Sequence, residues 1–251
     1  MIMKFGLIGY PLTHSFSAKF FNEKFKREKI DAEYLNFEID DVQKIKDIVV
    51  GNPDLKGLNV TIPYKETVIP FLHEVSYEAK KIGAVNVIRI ERNSHNPVSV
   101  ILKGYNSDYI GFKNSLTPLL SPHIHKKALI LGTGGASKAV AHALSDLSIE
   151  WKYVSRTSSN NKLTYDVINE QVMAEYNVIV NASPVGTFPN IDQAPALPYQ
   201  FVTTKHLFYD LVYNPAETLF MKKGKELGAT VKNGAEMLER QALAAWEIWN
   251  K

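Results

Sequence analysis

Lys65 closes a short stretch, "GLNVTIPYK" at residues 57–65, whose polar groups gather where a strand gives out. Leu58, Val60 and Ile62 alternate with Asn59, Thr61 and Pro63, the period of two expected of a strand with one buried face. An amide, a hydroxyl and an ammonium can all donate to a ligand's oxygens, and a lysine held there can move a proton. A solvated edge of cross-strand pairs would leave the same pattern. Ser15 and Ser17 form a second pair. In an extended segment they share a side, so both hydroxyls can donate to one carboxylate, although serine is also a good helix N-cap. Asp108 opens a helical pattern, where the helix dipole favours an acid whatever its function. His14 lacks a nearby carboxylate or serine partner for a triad, and His123 and His125 stand in a loop without further ligands, so no metal site is expected.

A second chemistry-bearing stretch is "ALILGTGGAS" at 128–137, an apolar strand, a glycine turn and a helix start. Gly132 and Gly134 occupy the first two glycine positions of the dinucleotide fingerprint, one for the tight turn and one for close approach of a pyrophosphate. Ser137 holds the third position and Gly135 adds another small residue. The following strand runs into "YVSRTSSN", with Arg156 where an NAD site would carry an acid. Arg156 with the hydroxyls of Ser155 and Thr157 suits a 2′-phosphate, which favours NADP over NAD; a solvated surface arginine is the alternative.

The elements that must position these groups alternate between strand and helix from end to end. Strands are expected at "KFGLIG", "EYLNFEI", "LKGLNVTI", "ALILG", "WKYVS", "YNVIVNAS" and "HLFYDLVY", with "VNVIRIE" and "VSVILKG" as a hairpin around "RNSHNP". Helices are expected over 16–29, around 41–50, over 107–119 and 135–147, in "PAETLFMKKGKELG" opened by Pro215, and in "NGAEMLERQALAAWEIWN". This alternation predicts an α/β fold with parallel sheets. The chain has 251 residues, 45% hydrophobic and 22% charged, with a net charge of +3. That is one large or two small globular domains, with no electrostatic reason to expect a nucleic-acid or membrane partner. Zero cysteines exclude disulfides, thiolate metal sites and cysteine nucleophiles. "MIMKFGLIGYP" reads as a first strand, not a signal peptide, and no apolar run approaches the ~18–20 residues of a membrane helix. A cytoplasmic enzyme is expected.

Nine motifs in order carry a resemblance over nearly the whole chain: "GYPLTHSFS", "GLNVTIPYK", "GAVN", "GYNSD", "GTGGAS", "SRT", "NASPVG", "DLVYNP" and "NGAEMLERQA". Together they resemble the shikimate/quinate dehydrogenase family. The resemblance implies two domains, a substrate-binding catalytic domain over 1–104 and 235–251 and a Rossmann-like NADP-binding domain over 105–234. It implies NADPH-dependent, reversible reduction of 3-dehydroshikimate to shikimate, in aromatic amino acid biosynthesis, by a monomer or homodimer. Lys65 and Asp108 match the catalytic pair. Ser15 and Ser17 match the carboxylate-binding serines. Asn59, Thr61, Asn86, Tyr213 and Gln241 match positions at the substrate. Gly132, Gly134, Gly135, Ala136 and Ser137 match the pyrophosphate loop. Ser155, Arg156 and Thr157 match the 2′-phosphate contact, and Gly234 a position near the nicotinamide. The chain departs from the family pattern at Ser107, where threonine is common, at Asn160, where a second basic residue is usual, and at Pro184 and Val185. Two rival readings remain: a quinate/shikimate dehydrogenase using NAD(P), and a non-catalytic NADPH-binding regulator.

Overall fold

The computed structural model describes residues 2–12, 16–93, 96–157 and 162–251, with backbone only at 93 and 96–99. The chain divides into two compact units, Met1–Ser107 with Gln241–Lys251, and Asp108–Arg240. Among the described residues no helix is long and apolar enough to cross a membrane.

The first unit is built on strands β1 (Met3–Gly9), β2 (Ala32–Glu38), β3 (Leu55–Val60), β4 (Glu74–Val75), β5 (Val87–Asn93) and β6 (Asn96–Tyr105), with helices α1 (Phe16–Glu28), α2 (Ile45–Gly51), α3 (Tyr64–Thr67) and α4 (Tyr77–Ile82). The sheet order is β2-β1-β3-β5-β6-β4. It is mixed: β1 runs parallel to β2 and β3, while β5 is antiparallel to both β3 and β6, as the expected hairpin requires. Period-two alternation splits the apolar residues between the faces. Ile8, Leu58, Val60, Ile88 and Ile90 join one core, and Phe5, Leu7 and Val87 join another with Phe21, Phe25, Ala245, Ile248 and Trp249. The helix expected around 41–50 is a 3₁₀ turn, Val42–Lys44, whose first residues are held by the Asp41 side chain, running into α2.

The second unit carries β7 (Lys127–Leu131), β8 (Glu150–Ser155), β9 (Lys162–Thr164), β10 (Val178–Asn181), β11 (Leu207–Asp210) and β12 (Thr230–Lys232), with α5 (Asp108–Leu116), α6 (Gly135–Asp146), α7 (Glu170–Glu175) and α8 (Leu219–Glu226). Helix α9 (Ala235–Trp249) spans the boundary between the units. The order is β12-β11-β10-β7-β8-β9 and every pairing is parallel. The winding reverses between β7 and β10, the doubly wound order with its switch point at that pair of strands. Ala128, Ile130, Val178 and Val180 face one core, and Leu129, Leu131 and Ile179 the other, so these strands are buried on both faces. Two expectations are corrected here. The helix read from Pro215 begins only at Leu219, because the Thr218 hydroxyl takes the Met221 N–H and caps it there. The strand read as "HLFYDLVY" stops at Asp210, whose carboxylate accepts the Val212 N–H and turns the chain.

The end of α9 is fastened to the first sheet through a glycine. A Cβ on Gly57 would lie 2.2 Å from Trp249 Cδ1, while the Trp249 indole N–H donates to the Ile88 carbonyl at 3.1 Å. The ring occupies the space a side chain on β3 would need. Gly57→Ala should therefore lose about 1–3 kcal/mol of stability by overpacking, measured as a lower urea midpoint at unchanged slope.

Candidate active site

In the first unit the polar residues singled out by sequence converge at the ends of β3 and β6. Asn86 is 2% exposed. Its backbone carbonyl accepts the Val60 N–H at 2.9 Å and the Asn59 amide at 3.2 Å. Its side-chain oxygen accepts the Ser107 N–H at 2.7 Å, and its amide donates to Ser107 Oγ at 3.1 Å and to Gln241 Oε1 at 3.2 Å. Asn59, Asn86 and Gln241 thus form one cluster, the last two 155 positions apart. Its acceptors are spent internally. Among the described residues, the second Asn59 amide hydrogen and the Gln241 amide hydrogens have no acceptor.

Lys65 is half-buried on the short helix α3. Two contacts fix that helix: the buried Tyr64 hydroxyl donates to the Ile39 carbonyl at 2.6 Å, and the Lys65 carbonyl accepts the Val85 N–H at 2.7 Å. The second of these ties the lysine's backbone to the segment that carries Asn86. Thr61 hangs its N–H on the Ile8 carbonyl at 2.9 Å, and its methyl occupies the space where Gly9 has no Cβ. Ser17 stands in the first turn of α1. Ser15 and His14 lie outside the described residues. Sequence patterning read Tyr34 as a strand aromatic. The structure buries its hydroxyl, which donates to Asn59 Oδ1 at 2.7 Å.

In the second unit the glycine turn follows β7. Gly132 has φ +109°, and a Cβ there would come within 3.1 Å of the Ala182 carbonyl in the loop after β10. Gly134 is different. Its backbone is extended, at φ −76°, and a Cβ would meet nothing within 4 Å. Packing within the chain therefore does not demand a glycine at that position. Gly134 is also the N-cap of α6 and supplies no side-chain cap, and Gly135 and Ala136 follow without side chains that could cover the first turn. Uncapped N–H groups at a helix start suit an anion. Ser137 is fully buried and turns its hydroxyl back to the Gly134 carbonyl at 2.6 Å, which lets serine serve as the small third residue. Beyond β8, Ser155 Oγ accepts the Thr157 N–H at 3.1 Å and donates to the Thr157 carbonyl at 2.7 Å, shaping the turn on which the exposed Arg156 stands. Asn160 lies outside the described residues.

Asp108 is 3% exposed and is the first residue of α5. Tyr213 is 44% exposed in the loop after β11. Gly234 has a reason inside the chain: its Cβ would fall 2.2 Å from the Leu211 carbonyl oxygen. The same edge holds a network that sequence reading missed. The fully buried Asp210 accepts the Asn181 amide at 3.0 Å, the Val212 N–H at 3.0 Å and the Thr218 hydroxyl at 2.6 Å. Asn181 in turn accepts the Ser183 N–H and donates to the Val185 carbonyl. One carboxylate therefore ties the loops after β10 and β11 to the start of α8. Burial pushes its pKa up to about 6 in spite of these donors. His125 has a structural place, accepting the Ser121 N–H and facing the Lys205 carbonyl, and among the described residues no group of three or more His, Asp or Glu could hold a metal ion.

A doubly wound parallel sheet with an uncapped glycine turn, in one chain with a mixed α/β unit bearing a polar cluster beside a lysine, defines a two-unit protein of the dinucleotide-fold class. A family model described as shikimate dehydrogenase substrate binding domain matches residues 7–88. The protein named shikimate dehydrogenase (NADP(+)) from Carboxydothermus hydrogenoformans is 41% identical, over 97% of this chain and 90% of that protein. The crystal structure of shikimate 5-dehydrogenase from Thermus thermophilus in complex with NADP(H) and shikimate is similar at TM-score 0.82 and 28% identity, over 99% of this chain and 93% of the other. Quinate dehydrogenase from Corynebacterium glutamicum, in complex with NAD, is similar at TM-score 0.86 and 26% identity, over the same shares. The chain belongs to the shikimate dehydrogenase family.

Asp210 makes stability pH-dependent in a definite sense. An unfolded aspartate releases its proton near ~3.9, and folded Asp210 holds it to about 6. Between those values the folded chain binds more protons, so this group lowers stability as pH rises, and its cost is constant above the window. Carboxylates held below their usual range, such as Asp146 beside Tyr109 and Lys113, act in the opposite sense but cancel in a comparison of variants. In urea titrations, the unfolding free energy of Asp210→Asn relative to wild type should rise by on the order of 3 kcal/mol from about pH 4 to about pH 7. A flat difference would show that Asp210 titrates normally.

Proposed function

We propose that the protein catalyses the reversible NADP(H)-dependent interconversion of 3-dehydroshikimate and shikimate, a step of aromatic amino acid (chorismate) biosynthesis. The observation that carries this reading is the cluster of Asn59, Asn86 and Gln241 beside Lys65. Its acceptors are satisfied within the protein, and among the described residues its unspent groups are amide hydrogens. Such a surface fits a small molecule rich in oxygen acceptors. Ser15 and Ser17 are assigned to its carboxylate, and Asn59, Thr61, Gln241 and Tyr213 to its hydroxyls. Asn86 has every amide group engaged and acts by holding Gln241 and Asn59 in place.

NADP(H), when bound, supplies or takes the hydride. The residues fit it: the open space over Gly134, the uncapped start of α6 through Gly135 and Ala136, and the small buried Ser137 suit a pyrophosphate. Ser155, Arg156 and Thr157 suit a 2′-phosphate, with Gly234 assigned to the nicotinamide side. Reduction of a carbonyl leaves negative charge on its oxygen. The Lys65 ammonium stabilises that charge and delivers a proton to the oxygen; in oxidation the neutral amine takes the alcohol proton. Asp108 is assigned as the second member of the catalytic pair, its carboxylate accepting from a substrate hydroxyl. The reading carries with it a cytoplasmic enzyme, monomeric or homodimeric, without nucleic-acid or membrane partners. The similarity to a quinate dehydrogenase solved with NAD supports a second reading, in which quinate and NAD⁺ are used. Arg156, standing where an NAD site carries an acid, favours the first.

Initial rates with shikimate or quinate against NADP⁺ or NAD⁺ decide between these readings. Shikimate with NADP⁺ should be the preferred pair, and Lys65→Ala should lower kcat by about 10²-fold or more. Preference for quinate and NAD⁺ would move the assignment to the second reading, and inactivity with every pair would overturn both. Gly134→Ala separates ligand from fold. It should leave the melting temperature unchanged, since its Cβ meets nothing within 4 Å. It should raise KM for NADP⁺ by about tenfold or more through a clash with the bound nucleotide.

A further inference from the structure

Tyr34 lies on β2, outside every motif that marked the site, yet its hydroxyl ends among the site residues. The ring is 4% exposed and stacks on Phe21 with centroids 4.9 Å apart and planes 10° apart. Packing therefore leaves the phenol one direction, into the polar cluster. There it donates to Asn59 Oδ1 at 2.7 Å.

The consequence is a fixed polarity. The opposite edge of Asn59 faces the Asn86 carbonyl at 3.2 Å, which can only accept, so the atom there must be the amide nitrogen. The oxygen must then face Tyr34, and Tyr34 must donate. Burial raises the phenol's pKa well above its ordinary value, so the donor proton is held at any working pH. Both edges of Asn59 are thus specified, and its remaining group toward a ligand is an N–H. Turning the amide over would set oxygen against the Asn86 carbonyl and leave the Tyr34 proton facing nitrogen.

We propose that Tyr34 is a positioning residue for the substrate: its buried hydroxyl locks the Asn59 amide with a donor toward the ligand, so that it decides which polar atom of Asn59 the substrate meets. This rests on the function proposed above. It adds a residue, outside the matched motifs, whose effect falls on the substrate and not on the nucleotide.

Tyr34→Phe removes one oxygen and keeps the stacked ring. The expected result is a rise in KM for shikimate of about five- to tenfold, the worth of one hydrogen bond, with kcat and KM for NADP⁺ changed by less than about twofold. The same substitution in an Asn59→Ala background should leave KM for shikimate nearly where Asn59→Ala alone puts it, because the amide to be locked is gone. An unchanged KM in Tyr34→Phe, an equal factor in both backgrounds, or an equal rise in KM for NADP⁺ would each overturn the assignment, the last two by showing a merely structural role. Wild-type turnover of shikimate is measured first. Its absence would refute the proposed function, and the role of Tyr34 with it, whereas turnover with an unaffected Tyr34→Phe refutes the role of Tyr34 alone.

Discussion

Asn86 is buried, so each polar atom it carries must find a partner inside the protein. That requirement organises the first unit. Its backbone N–H donates to Tyr105 at the end of β6, its carbonyl takes the end of β3, and its side chain reaches Ser107 and α9. Three segments distant in sequence are held together by one residue with no spare valence. The mixed sheet makes this possible, since the β5–β6 hairpin returns the chain to the edge of β3 just where Asn59 and Thr61 emerge. Removing any member strands a buried donor or acceptor, which costs more than the bond itself was worth.

The second unit solves a related problem with a charge. At the switch point of a doubly wound sheet the loops after two neighbouring strands must diverge and still be held. Asp210 holds them with three donors. Its raised pKa shows that those donors do not fully replace water. The compensation is geometric. A Cβ on Gly132 would meet the Ala182 carbonyl, and one on Gly234 would meet the Leu211 carbonyl. The glycine turn and the start of α9 therefore both rest on loops that Asp210 ties down, and a small displacement of that carboxylate would reach both.

Much of this architecture is legible in the sequence. Strands such as "ALILG" and "YNVIVNAS" are continuous apolar runs because helices cover both faces, and the glycine turn announces itself by context. Pro215 is a strong local signal that places the beginning of α8 four residues early, whereas the cap that decides it, the Thr218 hydroxyl on the Met221 N–H, is itself oriented by Asp210, a pairing no periodicity encodes. Tyr34 escaped for the same reason: its ring satisfies the strand pattern, and only the fold shows where its hydroxyl ends. The glycines show the limit most clearly. Gly134 and Gly234 look alike as letters, yet the first is open to solvent space and the second is filled by a carbonyl oxygen.

The two units also differ in the polar groups they present. Under the proposed function, the glycine turn after β7 and the exposed Arg156 would offer backbone N–H groups and a cation, a surface that answers to charge and is weakened by salt. The first unit's cluster of Tyr34, Asn59, Asn86 and Gln241 has no charge of its own, and its polarity is set by neutral amides whose partners are already assigned. A ligand that places a hydroxyl against such an amide gains one ordinary hydrogen bond. A ligand that lacks the hydroxyl leaves the amide's N–H unmatched in a place where it cannot rotate to find another partner. Under the proposed function, discrimination would therefore come mainly from what the wrong molecule leaves unsatisfied, and would grow with the rigidity of the amide. The role proposed for Tyr34 follows from this: a buried phenol on Asn59 Oδ1 would matter to specificity by removing the amide's freedom to adapt.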